Sequence, residues 1–414
     1  MVWRLAFVQM LFTLSWTVYV IFLPALFRRA GIDANILPWV LIADQLIFAA
    51  MDFGLGLWLD RAKAALEKFS NWFMVVVGLA CLLFISLPWL SDNAPQGVLI
   101  FAVILWVVCS SVLRVPPLYF MAKAVAVNET NQTAGKPLAL GVAAYFFGIG
   151  VAGAAAPFLT ITLKNIDPTL PFFVASASLM LATYALRPML KLTPEYGANP
   201  TLVPVRTIDF KLALPMLVAV ALFAFGVQMH VAFNSAKYFT SVYPGASLEW
   251  LMPLFWVGFS VAMFPASQWL KRCAYAEDLL AQIAGATQAM WCAGLLGAAA
   301  LVACVFAPTL ALLIIFQVVA GAAWAVVMLA VFSAVSAMGK ASAPSKIGLW
   351  LGAALALMAL ATVGRIWLVL LLSSNPNLAE FKQMLPSATA VSWLAAAALA
   401  LLFARVMRRE QATV

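Results

Sequence analysis

Twelve apolar runs, each about as long as a helix that crosses a bilayer, dominate the chain. They fall near residues 3–27, 35–59, 71–90, 97–121, 137–161, 170–190, 210–235, 248–270, 282–306, 309–337, 346–373 and 387–405. A hydrocarbon core about 30 Å thick takes roughly 20 helical residues. Inside it every backbone N–H and C=O must find a partner within the protein, which leaves the helix as the spanning form for runs of this length. A mean hydropathy of +1.03, with 65% hydrophobic and 9% charged residues, excludes a soluble globular domain. The expectation is an all-α membrane protein with twelve transmembrane helices in two six-helix bundles. The first run carries Trp3 and Arg4 and no small-residue cleavage site, so it reads as a retained span rather than a signal peptide.

The net charge of +9 follows from how the basic residues are distributed over the loops. With the N-terminus inside, the inner segments hold most of them, among them Arg4, Arg61, Lys63, Lys68, Lys123, Lys136, Arg187, Lys191, Arg206, Lys340, Arg405, Arg408 and Arg409. The outer segments hold only Arg28, Arg29, Lys164, Lys237 and Lys382. Basic residues concentrate on the cytoplasmic side of membrane proteins, so both termini are expected in the cytoplasm, most simply at a bacterial inner membrane. The basic balance is therefore topology and implies no nucleic acid. The five cysteines are dispersed without metal-ligand spacing, and neither a metal nor a cofactor is expected.

Residues 191–209 form the one long, polar, proline-bearing connection, and they divide the spans six and six. This predicts an N-terminal bundle over 1–190, a cytoplasmic linker over 191–209 and a C-terminal bundle over 210–414, as in two-bundle transporters. A short repeat supports the division. Trp58-Leu59-Asp60-Arg61-Ala62 after span 2 matches Trp269-Leu270-Lys271-Arg272-Cys273 after span 8, 211 positions later. That offset sets Phe255 opposite Asp44 and Met263 opposite Asp52, so the two acids of span 2 belong to the N-terminal half alone.

Gly56-Leu57-Trp58-Leu59-Asp60-Arg61-Ala62-Lys63 resembles the loop 2–3 motif of the major facilitator superfamily, with Lys63 in place of the usual second glycine. The resemblance spans essentially the whole chain and implies the major facilitator fold. It also implies a gating role for Asp60 and Arg61 at the cytoplasmic ends of the halves. Asp52, eight residues before Asp60, resembles the start of the motif of sugar/cation symporters of the melibiose-carrier type, although Phe53 stands where those have proline. Span 5, with Gly141, Gly148, Gly150, Gly153 and Pro157, is faintly similar to the antiporter motif of drug exporters.

Ionisable groups at membrane depth cost several kcal/mol and mark function by default. Asp44 and Asp52 are the candidates for ion coupling, because an acid that alternates between apolar burial and an approaching cation takes up and releases protons. By depth, Asp44 pairs with Arg365 of span 11 as an outer latch that breaks when the protein opens outward, and Asp52 pairs with Arg114 of span 4. His230, the one histidine, is packing, a second proton carrier, since imidazole titrates near neutrality, or a substrate hydrogen-bond partner. Gln228 and Asn234 beside it are candidate substrate contacts, as are Trp16, Tyr19, Tyr145, Trp256 and Trp324. Pro116-Pro117 removes two backbone donors and predicts a bend or break at that end of span 4.

Nothing in the chain points to covalent catalysis. The expected function is secondary active transport of a small organic solute by alternating access, as a proton-coupled symporter acting as a monomer, with sodium the other possible ion. An antiporter exporting an amphipathic compound, driven by protons, is the alternative within transport. A non-transporting membrane receptor or partner protein built on the same fold is the alternative of another class.

Overall fold

The computed structural model describes residues 2–61, 66–128, 136–163, 165–187, 208–243, 248–274, 279–342, 346–375 and 379–412, and no strand occurs among them. Lys63, Lys164 and positions 191–207 of the linker lie outside these residues. Spans 1 to 3 are Val2–Arg29, Leu37–Arg61 and Leu66–Asn93. Span 4 is split into Gln96–Ser110 and Val115–Asn128; spans 5 and 6 are Lys136–Leu163 and Thr169–Tyr184. After Asp209, which caps the next helix by accepting from the Leu212 N–H at 2.8 Å, span 7 runs over Phe210–Met229, His230–Tyr238 and Phe239–Val242. Spans 8 to 12 are Leu248–Ala274, Leu279–Val305, Leu310–Ala341, Ile347–Ser374 and Ala379–Ala412.

Eleven of these helical stretches are long and apolar enough to cross a membrane, and span 6 is a shorter apolar helix. The helices overrun the apolar runs at several ends, because helical hydrogen bonding continues into polar residues: span 12 begins eight residues before position 387 and takes Pro386 inside it. Span 6 instead stops early as a regular helix, at Tyr184.

Packing repeats under a shift of six spans. Span 1 lies against 5 and 6, as span 7 lies against 11 and 12; span 3 lies against 4 and 6, as span 9 lies against 10 and 12. Between the halves, span 2 packs along span 11 and span 5 along span 8. Glycines form these seams. A Cβ on Gly56 would run into the Gly348 carbonyl, one on Gly352 into the Asp52 carbonyl, and one on Gly153 into the Trp256 ring. Small residues let helix backbones approach this closely. Gly56→Ala is therefore expected to push spans 2 and 11 apart at a cost of about 1–3 kcal/mol, the range for overpacking; thermal unfolding of the purified variant checks this.

Span 4 breaks where the two prolines predict. Residues Ser111–Leu113 wind as a 3₁₀ turn, and Pro117, lacking an N–H, cannot bond the Leu113 carbonyl. That carbonyl accepts from Gln9 Nε2 of span 1 at 2.7 Å instead, and the Arg114 carbonyl accepts from the Tyr145 hydroxyl of span 5 at 3.2 Å. The break thus turns Arg114 out of the helical ladder and ties its backbone to neighbouring spans.

Candidate functional site

Span 2 shows one exposed apolar stripe, with Trp39, Leu46 and Phe53 on it. At 100° per residue Asp44 lies about 160° from Leu46, and both Asp44 and Asp52 are completely buried. Neither acid faces the lipid side of its helix. Their surroundings differ.

Asp52 is held by a cation. Arg114 Nε lies 3.0 Å from each carboxylate oxygen and Nη2 lies 2.8 Å from Oδ2, a forked pair of the kind that satisfies both partners. The guanidinium also sits over the Phe48 ring, 4.7 Å from its centroid. The pairing expected from depth is formed. The main chain of Asp52 meanwhile lies against Gly352 of the other half.

Asp44 has no cation paired with it among the described residues. Its Oδ2 accepts from the Tyr19 hydroxyl at 2.8 Å, and its buried Oδ1 has no hydrogen-bond partner among the described residues. Tyr19 packs against Trp106 and Trp16, with ring centroids 4.7 and 5.1 Å away, and Trp16 continues to Phe48 at 5.2 Å. An aromatic wall therefore joins the Asp44 and Asp52 sites. Tyr19 is a carboxylate partner here, and Tyr145 a support for the span 4 break, so both bear on the site through other residues.

The outer latch is not formed. Asp44 turns into its own bundle toward Tyr19, while Arg365 has no ion pair among the described residues and its buried Nε has no acceptor.

His230 lies in a fully buried network at the start of the π-helical segment of span 7. Its Nε2 is 3.0 Å from Gln317 Oε1 and its Nδ1 is 3.3 Å from Asn234 Nδ2. The Gln317 amide nitrogen donates to the Leu251 carbonyl at 3.2 Å, so its oxygen faces His230; Nε2 is then the donor and Nδ1 the acceptor. Asn234 also reaches the Pro386 carbonyl and Thr389 Oγ1. Here Asn234 binds spans 7 and 12 together, whereas Gln228 is half-buried. His230→Ala removes one hydrogen-bond partner from buried Gln317 Oε1 and one of three from Asn234 Nδ2, and a loss of about 1–3 kcal/mol in thermal stability is expected.

The repeat offset connects the two sites. Tyr19 and His230 are 211 positions apart, as are Asp44 and Phe255, and Trp106 and Gln317. Tyr19 touches Asp44 and Trp106; His230 touches Phe255, at 5.4 Å between centroids, and Gln317. The same three positions meet in each half, with an acid in one and none in the other. Trp106 and Gln317 were absent from the residues singled out in the sequence, and carrying the offset through spans 4 and 10 finds both. Trp324 packs on Trp393, 5.9 Å between centroids, inside the C-terminal half, and Trp256 lies over Gly153 at the seam of spans 5 and 8.

At the face carrying the chain ends, Asp60 crosses between the halves. Its Oδ1 and Oδ2 accept from the N–H groups of Gly348 and Leu349, at 2.9 and 2.8 Å. Lys346, the residue before span 11, makes no side-chain cap. Asp60 therefore caps span 11 from the opposite bundle, where the helix dipole also favours an anion. Arg61 beside it is exposed. On the opposite face Arg29 bridges Asp92 and Asp167 at 3.4 and 3.5 Å, but these exposed pairs are worth at most about 1 kcal/mol each.

No family model matches the chain, and no curated protein matches it by sequence. Solved structures do match over the full length. A bacterial homologue of the iron transporter ferroportin, in an outward-facing state, superposes with a TM-score of 0.67 over 98% of this chain and 100% of that one, at 13% identity. The human organic anion transporter MFSD10 superposes with a TM-score of 0.60 over 98% of each chain, also at 13% identity. At such identity the likeness establishes architecture: the chain is an integral, multi-pass membrane protein with the major facilitator fold.

Proposed function

We propose that the protein is a secondary transporter that moves a small organic solute by alternating access and couples it to protons through Asp44. One observation carries this reading: among the described residues, Asp44 is a fully buried carboxyl with a single hydroxyl donor, one bare oxygen and no cation paired with it. A lasting negative charge there lacks the partners that burial of charge demands. Asp52, with the same burial, has them in Arg114. The two acids thus divide the work, Asp44 exchanging the proton and the Asp52–Arg114 pair holding spans 2 and 4 together at the seam with span 11. His230, neutral and hydrogen-bonded on both nitrogens, serves packing.

The moving bodies are residues 1–190 and 210–414, pivoting on the glycine seams, with both termini in the cytoplasm. Asp60 is the gate: releasing the span 11 cap frees the halves on the cytoplasmic side. Asp60→Ala removes a cap worth about 1 kcal/mol, a shift of roughly fivefold in the closed-to-open ratio. Spin labels placed on both halves at that face read this as a longer distance distribution, and an unchanged distribution counts against the gate. Coupling itself is tested by purified protein in liposomes. Solute uptake that follows an imposed pH gradient is expected, and uptake indifferent to that gradient sinks proton coupling.

A further inference from the structure

Arg365 sits about eight residues from the outer end of span 11, and two stripes of that helix are accessible. Leu360, Trp367 and Leu371, each 44–53% exposed, form the lipid-facing stripe. Met358, Thr362, Arg365 and Val369 are half-buried and lie between roughly 120° and 180° around the helix from it. Buried Ala359, Ala361 and Ile366 separate the two on both flanks. A half-exposed stripe turned away from lipid faces the space between the halves, which is the space the transport reading needs.

Among the described residues, Arg365 is a charge on that stripe with no protein partner. Asp52 and Arg114 neutralise each other, whereas Arg365 has no ion pair among the described residues and its Nε is buried without an acceptor. A guanidinium left this way costs free energy in the empty protein. Its planar fork of donors matches the two oxygens of a carboxylate, sulfonate or phosphate. One residue earlier, about 100° around the helix, the surroundings are apolar: Phe225 lies 3.3 Å from where a Cβ on Gly364 would stand, and it packs with Met229, Leu368, Leu372 and Leu385.

We propose that Arg365 receives the anionic head of the solute, and that the substrate class is a small organic anion with an apolar body. This rests on the transport reading for its passage, and it adds a charge balance. One anion on Arg365 and one proton on Asp44 cross together with no net charge, so a monoanion moves independently of membrane potential.

The test uses the detergent-purified full chain and thermal unfolding, with benzoate, benzenesulfonate and phenyl phosphate as probes and benzamide as the uncharged control. At least one of the anions should stabilise the wild type saturably while benzamide does not. Arg365→Gln should weaken that binding roughly tenfold or more, and Arg365→Lys should keep a weaker response. Without ligand, Arg365→Gln should unfold at an equal or higher temperature, since it removes a charge with no protein partner. A lower temperature would assign Arg365 to structure. Equal anion binding by Arg365→Gln, equal stabilisation by benzamide, or no response to any of the three anions overturns the proposal. Binding is read without a membrane, so an anion that binds through Arg365 and is never carried in liposomes defeats the transport reading and leaves this one standing.

Discussion

Asp44→Asn should erase the pH response of the tryptophan fluorescence of the purified protein and abolish solute accumulation driven by a pH gradient, while downhill exchange of solute continues. The amide keeps the shape of the side chain and can still accept from Tyr19, but it carries no exchangeable charge. Trp106 and Trp16 sit on the Tyr19 ring, so a proton arriving at Asp44 changes the field at both indoles. In the wild type a pH jump should therefore shift emission, and Trp106→Phe should remove most of that signal without removing transport. Accumulation that survives in Asp44→Asn would move coupling elsewhere in the molecule.

The second large effect concerns stability. Asp52→Asn leaves the Arg114 guanidinium in the membrane interior without its carboxylate, and breaking a buried pair from one side costs about 3–5 kcal/mol. Arg114→Gln should cost a similar amount by stranding Asp52. The double variant Asp52→Asn/Arg114→Gln should lose clearly less than the two single losses added together, because two amides can bond each other and no charge is left behind. Thermal unfolding of the four proteins gives the cycle. Strictly additive losses would mean that the fork at 2.8–3.0 Å contributes little beyond its two side chains taken separately.

Architecture was legible from length and hydropathy alone, since a span has a fixed size and the repeat at Trp58 and Trp269 gave the symmetry. Depth counted along the helices was enough to pair Asp52 with Arg114, because both project toward the same pair of neighbouring spans within one bundle. Asp44 and Arg365 are not joined in this structure, in which Asp60 holds the halves together at the opposite face and a latch that breaks on outward opening is expected apart. Depth fixes a level and leaves the azimuth open, and Tyr19 reaches Asp44 from span 1 where Arg365 does not. The π-helical winding after His230 had no local signature either, since it goes with contacts from spans 10 and 12, 87 to 155 positions away in the chain, that form only once it folds. The break in span 4 was visible in advance, as two consecutive prolines remove their donors whatever surrounds them.

Where spans 2 and 11 meet, main chain touches main chain at Gly56, Gly348 and Gly352. At those three glycines no rotamers need resetting if the two helices shift against each other, as the transport reading requires. If the protein transports as proposed, chemistry along the route, such as the charge at position 365, can be exchanged for another specificity while the contact between spans 2 and 11 stays the same.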